Sequence, residues 1–171
     1  MRIVGGEWAG RDLVSPGARV RPTAEQVRDR WLSILAPSLP EARVVDLFAG
    51  TGALGLEALS RGAATADFVE NGAASLHSLK ANVAVFRVRT RTRIFKRDAI
   101  PFVESLEPGA YDIAFADPPY GSRKADRVVK RWLEVPFARI LSVEHDPEHS
   151  LPAKGLSYDF GETRVTIFGV S

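Results

Sequence analysis

The composition of the chain bounds the class of protein. Its 171 residues include no cysteine, 45% are hydrophobic and 26% charged, and the formal net charge is +2. We expect one globular domain, residues 1–171, because this length can bury a sizeable core but leaves no room for a second domain. Disulfides and thiolate metal sites are excluded. His145 and His149 are four residues apart, but they lie in a proline-containing, acidic stretch that is not expected to be helical, so we expect no metal.

No segment has the pattern of a membrane span or of a secretion signal. No stretch approaches the ~20 consecutive apolar residues of a membrane helix, and residues 1–7 lack an apolar signal core. We therefore expect a cytoplasmic monomer with no membrane partner. Because the net charge is modest, any affinity for nucleic acid must come from where the basic residues lie.

The first 22 residues predict a small β-hairpin followed by an extended tail. Glycines and short β-branched runs are typical of turns and short strands. The segment shows no pattern of a core element. We expect its basic side chains to be exposed: Arg2, Arg11, Arg19 and Arg21.

A helix is predicted directly after this segment. Thr23 and Gln26 form a capping box, which marks the start of a helix. An apolar stripe follows at helical spacing and ends before Pro37. Trp31 belongs to this stripe, and we interpret it as a core residue.

A strand, a glycine-rich turn and a helix lie at the centre of the chain. Residues 43–45 have the pattern of a short buried strand, and residues 53–61 are strong helix formers. Between and within them, Gly50, Gly52 and Gly55 satisfy the spacing of the dinucleotide fingerprint. The turn therefore predicts a nucleotide-like ligand.

Two acids help to choose that ligand. Asp46 directly precedes the glycine turn, and Glu70 ends the next apolar run, where a ribose-binding acid belongs. NAD fits the glycine spacing, but its pyrophosphate would lie beside a carboxylate in the mouth of the turn. A ligand with a cationic ammonium at one end and a nucleoside at the other could use both acids. S-adenosylmethionine has this shape.

On these residues the sequence resembles the class I methyltransferases. The resemblance implies an α/β Rossmann-like fold: a mostly parallel seven-stranded sheet with helices on both faces, an antiparallel final strand and a small N-terminal β-hairpin. It implies S-adenosyl-L-methionine as cofactor and S-adenosylhomocysteine as product. The cofactor-binding residues predicted in this way are Asp46, Phe48, Gly50, Thr51, Gly52, Glu70, Asn71, Asp98 and Ala99.

An alternating run follows the next predicted helix, residues 71–86. Arg87, Arg89, Arg91 and Arg93 have period two, which places them on one face wherever the run is a strand. In the class I order this third strand is a sheet edge, where charges also prevent edge-to-edge aggregation. A solvated edge and a contact with RNA phosphates both stay open.

Asp98 and Ala99 lie between this strand and another predicted helix, residues 100–106. Asp98 can cap that helix. In the enzymes that the sequence resembles, a carboxylate at this place holds the adenine amino group. The two roles are compatible.

The chemical motif is Asp117-Pro118-Pro119-Tyr120, at the end of a buried strand that begins at Tyr111. Two prolines remove two donors, so the Asp117 carboxylate and the proline carbonyls are presented as acceptors. An exocyclic amino group of a nucleobase supplies two N–H donors, and Tyr120 offers a face for a flipped-out base. Such acceptors favour the pyramidal nitrogen that attacks a sulfonium methyl. We predict all four residues as catalytic.

The rest of the chain completes the predicted sheet. Basic residues line a helix at residues 123–131, and we interpret them as a solvated face. A fifth strand is predicted at residues 138–144. A closing hairpin is predicted from strands at residues 156–160 and 164–170.

The opening and closing segments are similar to those of the RsmD family. The residues concerned are Arg2 to Gly6, Trp8, Gly10, Arg11, Arg21 to Thr23, Val27, Arg28 and Phe160 to Thr163. These enzymes methylate guanine N2 in small-subunit ribosomal RNA, and the opening is their RNA-facing appendage. The resemblance thus implies an RNA-contact extension at residues 1–22. Its substrate-binding residues would be Arg2, Trp8, Arg11, Arg21 and Thr23.

The implied function is methyl transfer from S-adenosylmethionine to guanine N2 in 16S ribosomal RNA. The partner would be that RNA or the assembling small ribosomal subunit. Two alternatives stay open. The tetrad is shared with enzymes that methylate adenine N6 in DNA or RNA, and a non-catalytic RNA-binding or assembly factor could keep the fold, although intact Asp46, Glu70 and Asp117 count against it.

Overall fold

The computed structural model describes residues 1–17 and 22–169, and of Pro22 and Thr23 only the backbone. Helices and strands alternate along most of these ranges. The helices are α1 Pro22–Ile34, α2 Ala53–Ser60, α3 Ala73–Val85, α4 Ala99–Glu104 and α5 Lys124–Glu134. The strands are β1 Arg43–Asp46, β2 Thr65–Val69, β3 Thr92–Phe95, β4 Tyr111–Ala116, β5 Ala138–His145, β6 Leu156–Asp159 and β7 Arg164–Gly169. Within the described ranges, no helix combines the length and the apolar character that a membrane crossing needs.

All seven strands belong to one sheet, in the order β3-β2-β1-β4-β5-β7-β6. Neighbours among β1 to β5 are parallel, whereas β7 is antiparallel to both β5 and β6. The predicted α/β Rossmann-like fold, with a mostly parallel seven-stranded sheet, is confirmed. The chain changes direction across the sheet between β1 and β4. In open α/β sheets, ligands bind outside the carboxyl ends of the strands at such a switch point.

The sheet separates two hydrophobic clusters, because alternate residues of a strand face opposite sides. On β1, Val44 packs in the cluster with α1, α2 and α3, and Val45 packs in the cluster with α4 and α5. On β4, Phe115 packs in the same cluster as Val44, and Ala114 packs in the same cluster as Val45. The central strands are therefore buried on both faces, as expected for parallel strands covered by helices.

The described part of the N-terminal segment is attached to the core, contrary to the sequence prediction. Ile3, Trp8 and Leu13 are buried in the cluster with α1, α2 and α3. The predicted β-hairpin is reduced to a single antiparallel bridge, between Arg2 and Asp12. Residues 1–13 form a closed loop in which Ile3, Trp8 and Leu13 face the domain and Arg2 and Arg11 face outward.

Helix α1 begins before its predicted start, at Pro22. Proline suits the first helical position because its φ is already helical and its missing N–H would have no partner there. Thr23 therefore lies inside the helix, so it is not the cap that the sequence predicted. The prediction that Arg19 and Arg21 are exposed falls outside the described residues.

Of the four arginines at period two, only one lies on a strand, so the four do not form a row on one strand face. Arg87 has a left-handed backbone with a φ of 55°, and Arg89 and Arg91 lie in a 3₁₀ turn. Only Arg93 lies on β3, where it pairs with Asp67 at 2.7 Å. Most of the alternating run lies in the turn before β3, which begins only at Thr92. The position of β3 at an edge of the sheet is as predicted.

Candidate active site

Four carboxylates lie at one edge of the sheet, where its parallel strands end. Asp46 is the last residue of β1, and Glu70 directly follows β2. Asp98 directly precedes α4, and Asp117 directly follows β4. Because the carboxyl ends of parallel strands meet at the same edge, the structure brings these distant sequence positions together at the switch point.

Two adjoining clefts open at this edge, with volumes of about 1090 Å³ and 260 Å³. Asp117 and Pro119 line both clefts, so the two form one continuous site. All four residues of the predicted catalytic motif line the larger cleft, as does Thr51. Six predicted cofactor-binding residues line the smaller cleft: Phe48, Gly50, Glu70, Asn71, Asp98 and Ala99. Within the described ranges, no group of three or more acidic or imidazole side chains is arranged to hold a metal ion.

The turn between β1 and α2 requires glycine at particular positions. Gly52 has a φ of 88°, and a Cβ there would lie 2.6 Å from a leucine side chain of α3. A Cβ on Gly55 would lie 2.4 Å from the ring of Phe68 on β2. Gly52 thus allows the backbone of the turn, and Gly55 allows the close approach of α2 to the sheet. The backbone at Gly50 and Thr51 stays open to the larger cleft.

Asp46 lies beneath the turn and lines neither cleft, so the structure does not place it in the open mouth that the sequence predicted. Its Oδ2 accepts a hydrogen bond from the Gly55 N–H at 3.2 Å, and its Oδ1 has no partner among the described residues. Burial raises the pKa of Asp46 from 3.8 to about 7, and the charge of Glu70 acts in the same direction. A buried carboxylate oxygen without a partner fits a ligand that brings a donor, such as an ammonium group.

Glu70 holds the glycine turn from the next strand. Its Oε1 accepts a hydrogen bond from the Gly50 N–H at 2.8 Å. Its Oε2 accepts from the N–H groups of Asn71 at 3.1 Å and Gly72 at 2.8 Å. A carboxylate offers about four acceptor positions, so Glu70 can fix the turn and still accept from a ribose hydroxyl at the edge of the cleft.

Asp98 caps α4, as the sequence predicted. Its side chain accepts a hydrogen bond from the Ile100 N–H. The ammonium group of Lys124, on α5, lies 3.9 Å from its Oδ1. Asp98 is exposed on the wall of the smaller cleft, so an acceptor oxygen faces any ligand that enters.

Asp117 lies against a second acid, Glu144, which sequence reasoning did not single out. Asp117 is accessible from the cleft but surrounded by protein, and this desolvation raises its pKa well above 3.8. The negative charge of the neighbouring Glu144, followed by that of Asp46, raises the pKa further. Glu144 belongs to β5, which was predicted only as a strand. An acid at the end of the strand next to the tetrad is the signal that could have identified it.

Tyr120 projects into the larger cleft, with 54% of its surface exposed. Its hydroxyl donates to Thr163 Oγ1 at 2.6 Å, and Thr163 Oγ1 donates in turn to the carbonyl of His145 at 3.3 Å. The segment between β6 and β7 therefore fixes the orientation of the Tyr120 ring. An exposed ring held at its hydroxyl end can offer a flat face to a planar ligand.

Three of the predicted RNA-contacting residues, Arg2, Trp8 and Arg11, line neither cleft, and Trp8 is buried. Trp8 was predicted as a substrate-binding residue, but it packs against Phe86 with ring centroids 5.0 Å apart and has no exposed face on which a base could stack. Arg2 and Arg11 are exposed, with the Arg11 guanidinium 4.4 Å from the centre of the Phe86 ring. The side chain of Thr23 falls outside the described part of the chain, as does Arg21.

The strand order, the glycine turn after β1 and the acids at the strand ends define the class I methyltransferase fold. The family described as "Conserved hypothetical protein 95" matches residues 1–162. The chain is 33% identical to ribosomal RNA small subunit methyltransferase D of Escherichia coli K12, over 96% of this chain and 84% of that protein. It therefore belongs to this family, the RsmD family, as its opening and closing segments predicted.

Further relatives agree with this assignment. Putative rRNA methyltransferase YlbH of Bacillus subtilis is 31% identical over 89% of this chain and 86% of that protein. The solved structure of putative methyltransferase yhhF from Escherichia coli superposes with a TM-score of 0.85, at 31% identity over 99% of this chain and 97% of that one. The Thermus thermophilus 16S rRNA N2 G1207 methyltransferase RsmC, in complex with AdoMet and guanosine, has a TM-score of 0.68 at 19% identity. It covers 90% of this chain and 44% of its own, and it shows the shared fold alone.

Proposed function

We propose that this protein transfers a methyl group from S-adenosylmethionine to the exocyclic N2 of a guanine in small-subunit ribosomal RNA. The observation that carries the proposal is the position of the Asp117-Pro118-Pro119-Tyr120 tetrad in the same cleft as the glycine turn. The curated relatives are named as ribosomal RNA small subunit methyltransferases. Because ribosomal RNA is an intracellular substrate, we propose that the protein acts in the cytoplasm, as a monomer.

The cofactor would extend across both clefts. When bound, S-adenosylmethionine supplies an electrophilic methyl group on a sulfonium ion. We assign its amino-acid end to the glycine turn above Asp46, its ribose to Glu70 and its adenine to the smaller cleft beside Asp98. The residues assigned to cofactor binding are Asp46, Phe48, Gly50, Thr51, Gly52, Glu70, Asn71, Asp98 and Ala99.

The tetrad would position the target amine at the junction of the two clefts. Asp117 and the Pro118 carbonyl accept N–H hydrogen bonds and orient the nitrogen lone pair toward the cofactor side. The Tyr120 ring stacks on the base, which must leave its helix to enter the cleft. These groups supply alignment and an electrostatic environment suited to positive charge on the nitrogen.

The RNA would be held by exposed arginines of the N-terminal segment. Phosphate contacts supply sequence-independent affinity that declines with salt. Arg2 and Arg11 are exposed and available for this role, and we extend it to Arg21 and Thr23 on the family resemblance. Trp8 would contribute indirectly, because its burial anchors the loop that carries the arginines.

One assay tests the proposal against its alternatives. The protein is offered labelled S-adenosylmethionine together with small ribosomal subunits, free small-subunit ribosomal RNA or duplex DNA, and the labelled nucleoside is identified. We expect N2-methylguanosine in RNA. Label in N6-methyladenosine would support the adenine alternative, and RNA binding without any transfer would support a non-catalytic assembly factor.

The raised pKa of Asp46 predicts that cofactor affinity depends on pH. A carboxyl with a pKa of about 7 is half neutral at that pH, and a bound ammonium favours its ionised form. Affinity for S-adenosylhomocysteine should therefore rise between pH 6 and pH 8, by up to about tenfold per pH unit below the pKa. Calorimetry measures this dependence and the accompanying proton release.

Asp46→Asn is the matched control for this pH dependence. It keeps the size of the side chain and an acceptor for the Gly55 N–H, but it does not titrate. We expect weaker binding and a flat pH profile between pH 6 and pH 8. A flat profile in the wild-type protein would show that the Asp46 carboxylate does not face the ligand's ammonium group.

A further inference from the structure

One edge of the sheet carries an unusual density of positive charge. The segment from residue 87 to residue 97 contains β3, the outermost strand on this side. It has no acid and six basic residues: Arg87, Arg89, Arg91, Arg93, Lys96 and Arg97. The other 17 basic residues of the chain are outnumbered by its 21 acids, which leaves the rest of the protein at a net charge of −4. This edge is therefore far more positive than the chain as a whole.

Two of these cations have partners inside the protein. The Arg91 guanidinium donates to the carbonyls of Ala63 and Ala64, at 2.8 and 3.2 Å. The Arg93 guanidinium donates twice to the Asp67 carboxylate, at 2.7 and 3.1 Å. The other four are exposed and have no carboxylate partner among the described residues: Arg87, Arg89, Lys96 and Arg97. Their charges are available to an anion outside the protein.

Protection of the sheet edge does not account for these four charges. A charge blocks edge-to-edge pairing when it lies on the edge strand itself, but Arg87 and Arg89 precede β3, and Lys96 and Arg97 follow it. β3 has only four residues, and a short edge strand already resists such pairing. The strand also carries Arg93. The four unpaired cations therefore lie on both sides of a strand that is already protected.

Arg87 occupies a position that favours glycine. The Arg87 N–H donates to the Ala84 carbonyl at 3.1 Å, and the Val88 N–H donates to the Val83 carbonyl at 3.2 Å. This is the hydrogen-bond pattern of a Schellman cap at the end of α3. The φ of 55° at Arg87 is left-handed, where a residue with a Cβ is less favourable than glycine. The cap does not need an arginine, whereas an external anion would.

The other end of this edge adjoins the candidate active site. Arg97 lines the smaller cleft, and its guanidinium lies 5.6 Å from the centre of the Phe102 ring. Phe102 packs against Phe95 of β3, with ring centroids 5.0 Å apart. A guanidinium held over a ring keeps its in-plane N–H donors free for phosphate oxygens. Because the two clefts are continuous, the basic edge leads to the tetrad.

We propose that this edge is a second RNA-binding surface, which holds the phosphate backbone of the ribosomal RNA beside the base that enters the cleft. We name it the β3 edge surface and define it by Arg87, Arg89, Lys96 and Arg97. Separate cations along one edge match the repeated anions of a nucleic-acid backbone, and such contacts position the RNA without reading its sequence. The inference rests on the proposed function and adds a surface for its substrate, distinct from the N-terminal segment.

The surface is tested with two variants that remove the same charge from different places. Arg89→Gln/Lys96→Gln removes one cation before β3 and one after it, and neither residue lines a cleft. Lys130→Gln/Lys154→Gln is the matched control. It removes two exposed cations, one on α5 and one in the loop before β6, at the opposite edge of the sheet. Binding of labelled free small-subunit ribosomal RNA to each full-length protein is measured over a range of salt concentrations.

The edge variant should bind the RNA about tenfold or more weakly than the wild type at about 0.1 M salt. Its plot of log affinity against log salt should become shallower by about 0.7–0.9 for each lost phosphate contact, while the control stays close to the wild type. Equal losses in both variants, or none in either, would overturn the surface. So would a loss confined to assembled subunits, because the edge would then contact a ribosomal protein and not RNA.

Arg87→Gly separates binding from folding. Glycine suits the left-handed backbone, so this variant should lose RNA affinity and keep the wild-type stability in urea. A loss of stability with unchanged affinity would assign Arg87 to the fold and overturn its place in the surface.

Methylation assays distinguish failure of the surface from failure of the proposed function. The edge variant should raise the KM for ribosomal RNA more than it lowers kcat, and its affinity for S-adenosylhomocysteine should match that of the wild type. A wild-type protein that binds the RNA but methylates no substrate would overturn the proposed function, and the salt dependence of the variants would still decide the surface.

Discussion

Asp117→Ala is expected to lower the rate of methyl transfer, on the order of a hundredfold or more, while keeping the fold and most of the cofactor affinity. The carboxylate accepts an N–H bond that strengthens as the nitrogen becomes pyramidal, so its loss falls mainly on the chemical step. The side chain is accessible from the cleft, so its truncation leaves no cavity in either hydrophobic cluster. Single-turnover rates at saturating cofactor and substrate measure the effect.

Two milder variants show how much each residue of the tetrad contributes to the rate of methyl transfer. Asp117→Asn keeps an oxygen that accepts the N–H bond but loses the negative charge, so its rate should lie between those of Asp117→Ala and the wild type. Tyr120→Phe keeps the stacking face and loses only the hydrogen bond to Thr163, so it should matter least. Near wild-type turnover by Asp117→Ala would remove that residue from the catalytic role. A Tyr120→Phe defect of equal depth would assign chemistry to the phenol hydroxyl.

The strand, turn and helix at the centre of the fold can be predicted from sequence because their requirements are local. Gly52 needs a left-handed backbone, and Gly55 needs the absence of a Cβ beside Phe68. Both requirements restrict the residue type at a fixed spacing. The parallel pairing of the central strands follows from the alternation of strand and helix, because parallel strands need crossover connections, whereas the order of the strands was implied by the resemblance to the class I methyltransferases.

The N-terminal segment shows what such local reasoning misses. Trp8 lies among glycines and arginines, and nothing nearby in sequence indicates that it is buried. Its partner is Phe86, at the end of α3. Asn82, one turn earlier, accepts from the Val14 N–H at 2.7 Å and donates to the Thr51 carbonyl at 2.9 Å. The segment is thereby linked to the glycine turn through contacts that only the folded chain creates.

The candidate site likewise contains residues that local sequence identifies and residues that only the folded structure reveals. Asp117 is identifiable because a rigid tetrad surrounds it, and Glu70 because it ends a strand at the expected place. Glu144 needs the register of β4 on β5, which no single-strand pattern contains. The side-chain partner of Tyr120, Thr163, likewise comes from the hairpin at the far end of the chain.

Glu57→Ala is expected to lower the free energy of unfolding by about 3–5 kcal/mol, as the removal of one partner of a buried ion pair typically does. Glu57 is fully buried on α2 and joins the N-terminal segment to the domain. Its Oε1 accepts from the Val4 N–H at 2.9 Å and from Arg28 Nε at 3.0 Å. Its Oε2 accepts from the Gly5 N–H at 2.8 Å and from Arg61 Nε at 3.1 Å.

The size of this effect follows from what Glu57→Ala leaves behind. The Arg28 guanidinium is buried and would lose its only carboxylate partner among the described residues, and two backbone N–H groups would lose their acceptor. Urea denaturation measures the change, and Glu107→Ala, at an exposed loop position, should stay within about 0.5 kcal/mol of the wild type. Trypsin should also cleave the Glu57→Ala variant faster after Arg11, because the loop loses its anchor before the sheet opens. Equal stability of the two variants would mean that the buried apolar side chains alone hold the N-terminal segment in place.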